Sequence, residues 1–264
     1  MTKLKDNRIL SSVYALDFDG VICDSAIETA ITGWKAAQKI WQDMPNETPS
    51  ETLINDFRHA RPFLETGYEA ILIMRLLQQG LPVNALKKNY SKTMQALLQK
   101  ERLSTERLKQ LFGTTRDQWI KQDPHQWLSM NPLFSGVRQR LGKLSNHRWY
   151  IITTKQERFV TQILENYHID INKQHIYGMD AKKSKQKVLL ELKKKHLNQE
   201  IIFIEDRLPT LIDIINNNKL KTIKLQLVDW GYNTESDKQQ TEQYPIELIP
   251  IEQFILSPKW KKMP

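Results

Sequence analysis

Asp17 and Asp19 stand two residues apart in the stretch Val13-Tyr14-Ala15-Leu16-Asp17-Phe18-Asp19-Gly20-Val21. The apolar run before them reads as a buried strand, and strand alternation would turn both carboxylates to one face. Carboxylates held together repel, and a divalent cation is the usual remedy. Gly20 allows a sharp backbone departure that a residue with a Cβ resists. On its own, Asp-Phe-Asp-Gly fits a polar turn just as well. The remaining strand ends decide between the two. Trp149-Tyr150-Ile151-Ile152 stops in Thr153-Thr154-Lys155, Ile201-Ile202-Phe203-Ile204 stops in Glu205-Asp206-Arg207, and Lys185 opens the helix before the latter. Acids from two strand ends could hold Mg²⁺, while a hydroxyl and an ammonium could hold an anion's oxygens. That is the equipment of phosphoryl transfer, which depends mostly on positioning and charge neutralisation.

The elements that must position these groups alternate. Strands are expected at residues 13–18, 149–152, 201–204 and 222–228, with a short segment at 176–178 and an edge element over 246–255. Helices are expected over 137–144, 156–168, 185–196 and 208–217; the second carries Phe159, Val160, Ile163 and Leu164 at helical spacing. Strands separated by helices imply a parallel sheet covered on both faces. Residues 25–134 interrupt this with helical signals only. Thr66 and Glu69 form a capping box ahead of Ala70-Ile71-Leu72-Ile73-Met74, with Gly80 as the stop. Residues 83–103 continue helically, with Leu97 and Leu98 on the apolar face, and Thr115 with Gln118 offers another capping box. The reading is an α/β core of residues 1–25 and 134–264, with an inserted helical cap of residues 26–133.

Composition sets the bounds. The 264 residues are 40% hydrophobic and 26% charged, which excludes a disordered chain. No apolar run reaches membrane-spanning length, and residues 1–6 lack the apolar core of a signal peptide. Cys23 is the only cysteine, so no intrachain disulfide can form and a cytoplasmic setting is expected; a small buried role suits it better than a reactive one. The net charge of +9 is concentrated in lysine runs at 182–187 and 193–195. These read first as a solvated helix face and second as a field steering anionic metabolites. No aromatic interleaving of the nucleic-acid kind accompanies them.

With these elements in order, the chain resembles the haloacid dehalogenase-like (HAD) hydrolase superfamily, in the form with a helical cap of the phosphoglycolate phosphatase type. The resemblance spans roughly residues 12–230 and rests on four motifs in the family's order, around Asp17 and Asp19, Thr153, Lys185, and Glu205-Asp206. It implies a Rossmann-like parallel sheet core and an inserted all-helical cap. It further implies that Asp17 is the nucleophile forming an aspartyl phosphate, and that Asp19 is the general acid and then the base. Thr153 would bind the phosphoryl group, with Thr154 and Gly20 beside it as substrate-binding candidates. Lys185 would neutralise charge, with Lys183 as the competing assignment. Mg²⁺ would be held by Asp17, the Asp19 carbonyl and Asp206, with Glu205 as a further or outer ligand.

Two departures stand out. Relatives often carry an acid four residues beyond the last aspartate, where this chain has Thr210, and Arg207 follows Asp206 directly. Dehalogenases of the superfamily need neither the second aspartate nor Mg²⁺, so Asp19 points to phosphate chemistry. In the cap, Arg61 could reach an anionic substrate group or pair with Glu65. Trp34 and Trp41 suit core packing and His59 a structural place. The expectation is a Mg²⁺-dependent phosphatase acting on a small phosphorylated metabolite, such as phosphoglycolate or a sugar phosphate. The alternatives are a phosphomutase, or a catalytically silent relative binding nucleic acid or protein through its basic surface. Nucleic acid is disfavoured, no membrane partner is expected, and the oligomeric state stays open.

Overall fold

The structure is a computed structural model that describes residues 12–144 and 148–256; the readings made of residues 1–6 and of the end of the chain beyond 256 lie outside the described residues. The chain forms two compact units, Met1–Ile22 with Ser135–Pro264, and Cys23–Phe134. It opens with β1 (Val13–Leu16). The second unit follows with α1 (Ala26–Ala37), α2 (Glu51–Ala60), α3 (Glu69–Gln78), α4 (Val83–Lys88), α5 (Tyr90–Lys100), α6 (Thr105–Gln122) and α7 (Pro124–Ser129). The first unit resumes with α8 (Val137–Gly142), β2 (Trp149–Ile152), α9 (Glu157–Asn166), β3 (Ile176–Tyr177), α10 (Lys185–Lys195) and β4 (Ile201–Glu205). It ends with α11 (Leu208–Ile215), β5 (Lys224–Val228), α12 (Glu235–Gln240), β6 (Ile246–Ile249) and α13 (Ile251–Leu256).

The six strands make one parallel sheet in the order β3-β2-β1-β4-β5-β6. β1 is central, with Ala15 paired to Tyr150 of β2 and to Phe203 of β4. All four residues of β1 are buried, as are those of β2 and β4. That is why these strands read as unbroken apolar runs: a parallel sheet is covered on both faces. On one face Val13, Ala15, Ile152 and Phe203 pack with Val188, Leu189 and Leu192 of α10 and Leu208 and Leu211 of α11. Local chemistry sets the helix starts. The Ser184 hydroxyl accepts from the Lys187 N–H at the head of α10, and Pro209 occupies the first turn of α11.

The second unit is helical around Trp34, Trp41, Phe57, Ile71, Leu72 and Phe112. Helices α1 and α3 approach closely at Gly33, where a Cβ would come within 2.6 Å of the Ala70 carbonyl oxygen. Glu28 of α1 is fully buried and its carboxylate is shared out. It accepts from Arg116 Nε and Nη2 at 2.7 and 2.6 Å, from Trp127 Nε1 at 3.0 Å and from Thr32 Oγ1 at 2.6 Å. One side chain thereby ties α1, α6 and α7 together. The unit's two ends meet: Cys23 bridges to Leu133, and the Asp24 N–H donates to the Pro132 carbonyl at 2.8 Å. Cys23 is buried, as are Trp34 and Trp41, while His59 is exposed near the end of α2.

Several boundaries differ from the sequence reading. Residues 83–103 are two helices, broken at Asn89, whose φ of −134° leaves the helical region. Thr115 and Gln118 lie inside α6, which is capped earlier by Ser104 accepting from the Arg107 N–H; both bond Lys39 Nζ instead. The Glu69 carboxylate accepts from the Thr66 N–H at 2.9 Å, and also from Glu65, but α3 is capped at Tyr68 with no side-chain cap hydrogen bond, so only the Glu69 half of the expected box forms. Residues 246–255 split into β6 and α13 at Pro250, and β1 stops at Leu16, before the aspartates. Among the described residues, no helix is long and apolar enough to cross a membrane.

Candidate active site

The carboxyl ends of the two central strands β1 and β4 lie side by side, and so do the acids that follow them. The Asp17 N–H donates to the Ile204 carbonyl at 2.9 Å, which extends the β1–β4 pairing by one residue and fixes the aspartate beside Glu205. Carboxylate oxygens of Asp17, Glu205 and Asp206 all fall within 4.8 Å of one another, and all three residues are buried. Lys185, from the first turn of α10, reaches into this group. Its Nζ lies 3.1 Å from Asp17 Oδ1 and 2.7 Å from Glu205 Oε2. Lys183 turns to Glu191 on the surface.

The charges are far from balanced. Burial, and then Glu205 and Asp19, push the Asp17 carboxyl up to about 7 although Lys185 opposes them. Burial also raises Glu205, against the pull of Lys185. Burial works against the charge of Lys185, but Asp17 and Glu205 outweigh it and hold the ammonium above its ordinary range. Glu205 is fully engaged, since its Oε1 accepts from the N–H groups of Asp206 and Arg207 at 3.2 Å each. Asp206 Oδ2 accepts from the Tyr232 N–H at 2.9 Å, and Asn233 Nδ2 donates to the Asp206 and Val228 carbonyls. The loop after β5 therefore holds the Asp206 carboxylate in place.

Gly20 has a φ of +87°, and a Cβ there would strike the Asp206 carboxylate. Only glycine satisfies both demands cheaply. Thr153 is buried at the end of β2, where its N–H donates to the Tyr177 carbonyl and its hydroxyl accepts from the Lys155 N–H. Thr154 is exposed next to it. Arg61 belongs to the helical unit, buried, with Nη1 donating to the Leu64 carbonyl at 3.3 Å.

No protein-family model matches the chain, and no curated protein does. Solved structures do. A predicted phosphatase from Clostridium acetobutylicum is similar at 16% identity and a TM-score of 0.55, over 93% of this chain and 97% of that one. A haloacid dehalogenase-like family hydrolase from Streptococcus pneumoniae is similar at 18% identity and a TM-score of 0.51, over 91% and 94%. A predicted phosphoglycolate phosphatase from Haemophilus somnus shows 16% identity and a TM-score of 0.53, over 86% and 88%. The chain has the haloacid dehalogenase-like fold. The three strand-end motifs read from the sequence, and Lys185 at the head of α10, converge on one place, the carboxyl edge of the sheet.

One residue at that edge went unread. Lys155 places its Nζ 2.8 Å from Asp19 Oδ1, with 1% of its side chain exposed. The available signal was its position, two residues beyond Thr153 at a strand end. Tyr232 and Asn233 were missed too, although Gly231, three residues after β5, marks a close backbone approach: a Cβ there would meet Asp206 and the Gly20 carbonyl.

The residues fit a hard divalent cation. The cluster offers carboxylate oxygens only, the donors that Mg²⁺ prefers. Three carboxylates there face the one ammonium of Lys185, so a cation would find acidic oxygens still to be balanced. Asp17 and Asp206 are the carboxylates that would hold the ion, since both oxygens of Glu205 already serve Lys185 and the head of α11.

Proposed function

We propose that the protein is a Mg²⁺-dependent phosphatase that hydrolyses a small phosphomonoester through an aspartyl phosphate. The observation that carries this reading is Lys185, which bonds acids at the ends of both central strands. It makes a buried nucleophilic carboxylate compatible with an arriving dianion.

The geometry supports a sequence of roles. Asp17 attacks phosphorus, an Asp17 O–P bond forms and the bond from phosphorus to the ester oxygen breaks. Asp19 gives its proton to that oxygen, which leaves as an alcohol. Asp19 then takes a proton from water, whose oxygen attacks phosphorus; the Asp17 O–P bond breaks and inorganic phosphate is released. Thr153 and Lys185 hold the phosphoryl oxygens, and a cation held by Asp17 and Asp206 would supply further charge neutralisation. Glu205 orients Lys185 and the turn into α11. The substrate proposed is a small phosphorylated metabolite of the phosphoglycolate or sugar phosphate class, met in the cytoplasm.

The test is release of p-nitrophenol from p-nitrophenyl phosphate by the purified protein with Mg²⁺, with EDTA, and with Asp17→Asn. Turnover that needs the metal and falls by about 10³-fold or more in the variant is the expected result. A folded wild type that releases phosphate from neither this ester nor a panel of small phosphomonoesters refutes the reading.

A further inference from the structure

The site holds two lysine–aspartate pairs. Lys185 serves the nucleophile, as described above, whereas Lys155 serves Asp19 and nothing so far assigns it a task. Its ammonium is 2.8 Å from Asp19 Oδ1, and its side chain is almost fully buried. A lysine loses much conformational freedom when buried and gives up hydration of its charge, so such a placement is retained only where something compensates it. The surroundings fix it from several sides. Its N–H donates to the Thr153 hydroxyl at 3.1 Å, its carbonyl accepts from the Met179 N–H at 3.0 Å, and its ammonium stands 5.8 Å from the centroid of the Phe18 ring. Phe18 itself is buried between the two aspartates in sequence. Lys155 is thus anchored to the end of β2 while its tip grips the loop that follows β1.

We infer that Lys155 is a positioning residue: by engaging one oxygen of Asp19 it fixes the direction of the other, and so aims the group that exchanges a proton with the leaving oxygen and with water. The inference rests on the phosphatase reading. It separates Lys155 from Lys185, since the first acts on proton transfer and the second on the nucleophile and the phosphoryl charge. Misdirection of a catalytic carboxyl by a fraction of an ångström costs proton transfer far more than it costs binding.

The two roles divide on the leaving group. A p-nitrophenolate departs without a proton, whereas a simple alkoxide needs one. The experiment measures kcat/KM for p-nitrophenyl phosphate and for an alkyl phosphate with wild type, Lys155→Met and Lys155→Arg, with thermal unfolding of each. The expected result for Lys155→Met is a loss of about 100-fold on the alkyl ester and less than about tenfold on the aryl ester. Lys155→Arg, which can still grip a carboxylate oxygen, recovers part of the alkyl activity. Parallel losses on both esters, or no loss on either, overturn the role of Lys155 while leaving the phosphatase reading standing. If Lys155→Met unfolds, Lys155→Arg carries the same comparison, and an unchanged ratio between the two esters overturns the inference. A wild type inactive on both esters and on the wider panel overturns the phosphatase reading, and this inference falls with it.

Discussion

Lys185 lies between Asp17 and Glu205 at 3.1 and 2.7 Å with 16% of its side chain exposed. Removing it leaves two buried acids facing each other. Lys185→Met should therefore lower stability by about 3 kcal/mol as well as abolish turnover. Lys183→Met, which breaks an exposed contact with Glu191 and an approach to the Tyr177 ring, should leave both within error; urea unfolding and p-nitrophenyl phosphate assays check the pair. Asp17 carries a pH signature. Its carboxyl is raised from an ordinary 3.8 to about 7, so the metal-free native state holds a proton that the unfolded chain releases. Between those two values stability falls as pH rises. Asp17→Asn has no charge to bury, so its advantage in Tm over metal-free wild type should grow from about pH 5 to about pH 8. A difference that stays constant across that range counts against the raised pKa. The sequence placed the helix start at Lys185 but left Lys183 in the same lysine run as a competitor; the Ser184 cap that starts α10 and the contacts of Lys185 with Asp17 and Glu205 decide between them.

At the level of elements, what was legible is what interrupts an apolar run. Asp17, Thr153 and Asp206 were readable because each stops a buried strand, and a parallel sheet puts such residues at one edge. Gly20 was readable as a turn but not as a neighbour of Asp206. Gly20→Ala should cost more than a left-handed glycine usually does, because the added methyl also displaces the Asp206 carboxylate. The expected outcome is a lower Tm together with weakened Mg²⁺ dependence of turnover. The break at Asn89 and the true start of α6 were not legible, since both helices keep an apolar stripe through them and competing caps read equally well. Lys155 escaped because a lysine after a strand usually lies in solvent, and only the contact with Asp19 distinguishes it. In the helical unit, Glu28→Gln should lower stability by about 3 kcal/mol, because it strips the countercharge from buried Arg116; chemical unfolding measures it.

The molecule as a whole is two compact units on one chain, and the helical one has its own core. A fragment of residues 23–134 should therefore show helical circular dichroism and a cooperative thermal transition by itself; a featureless melt counts against it. The paired ends of that unit, Cys23 against Leu133 and Asp24 against Pro132, have a kinetic consequence. β1 and β2 are neighbours in the sheet yet lie more than a hundred residues apart in sequence, a separation that makes strand pairing slow when the intervening chain is a random coil. Once the helical unit has folded and clasped its ends, the gap to be closed shrinks to a few residues. The helices should mature first, and the central strand should find its partner second.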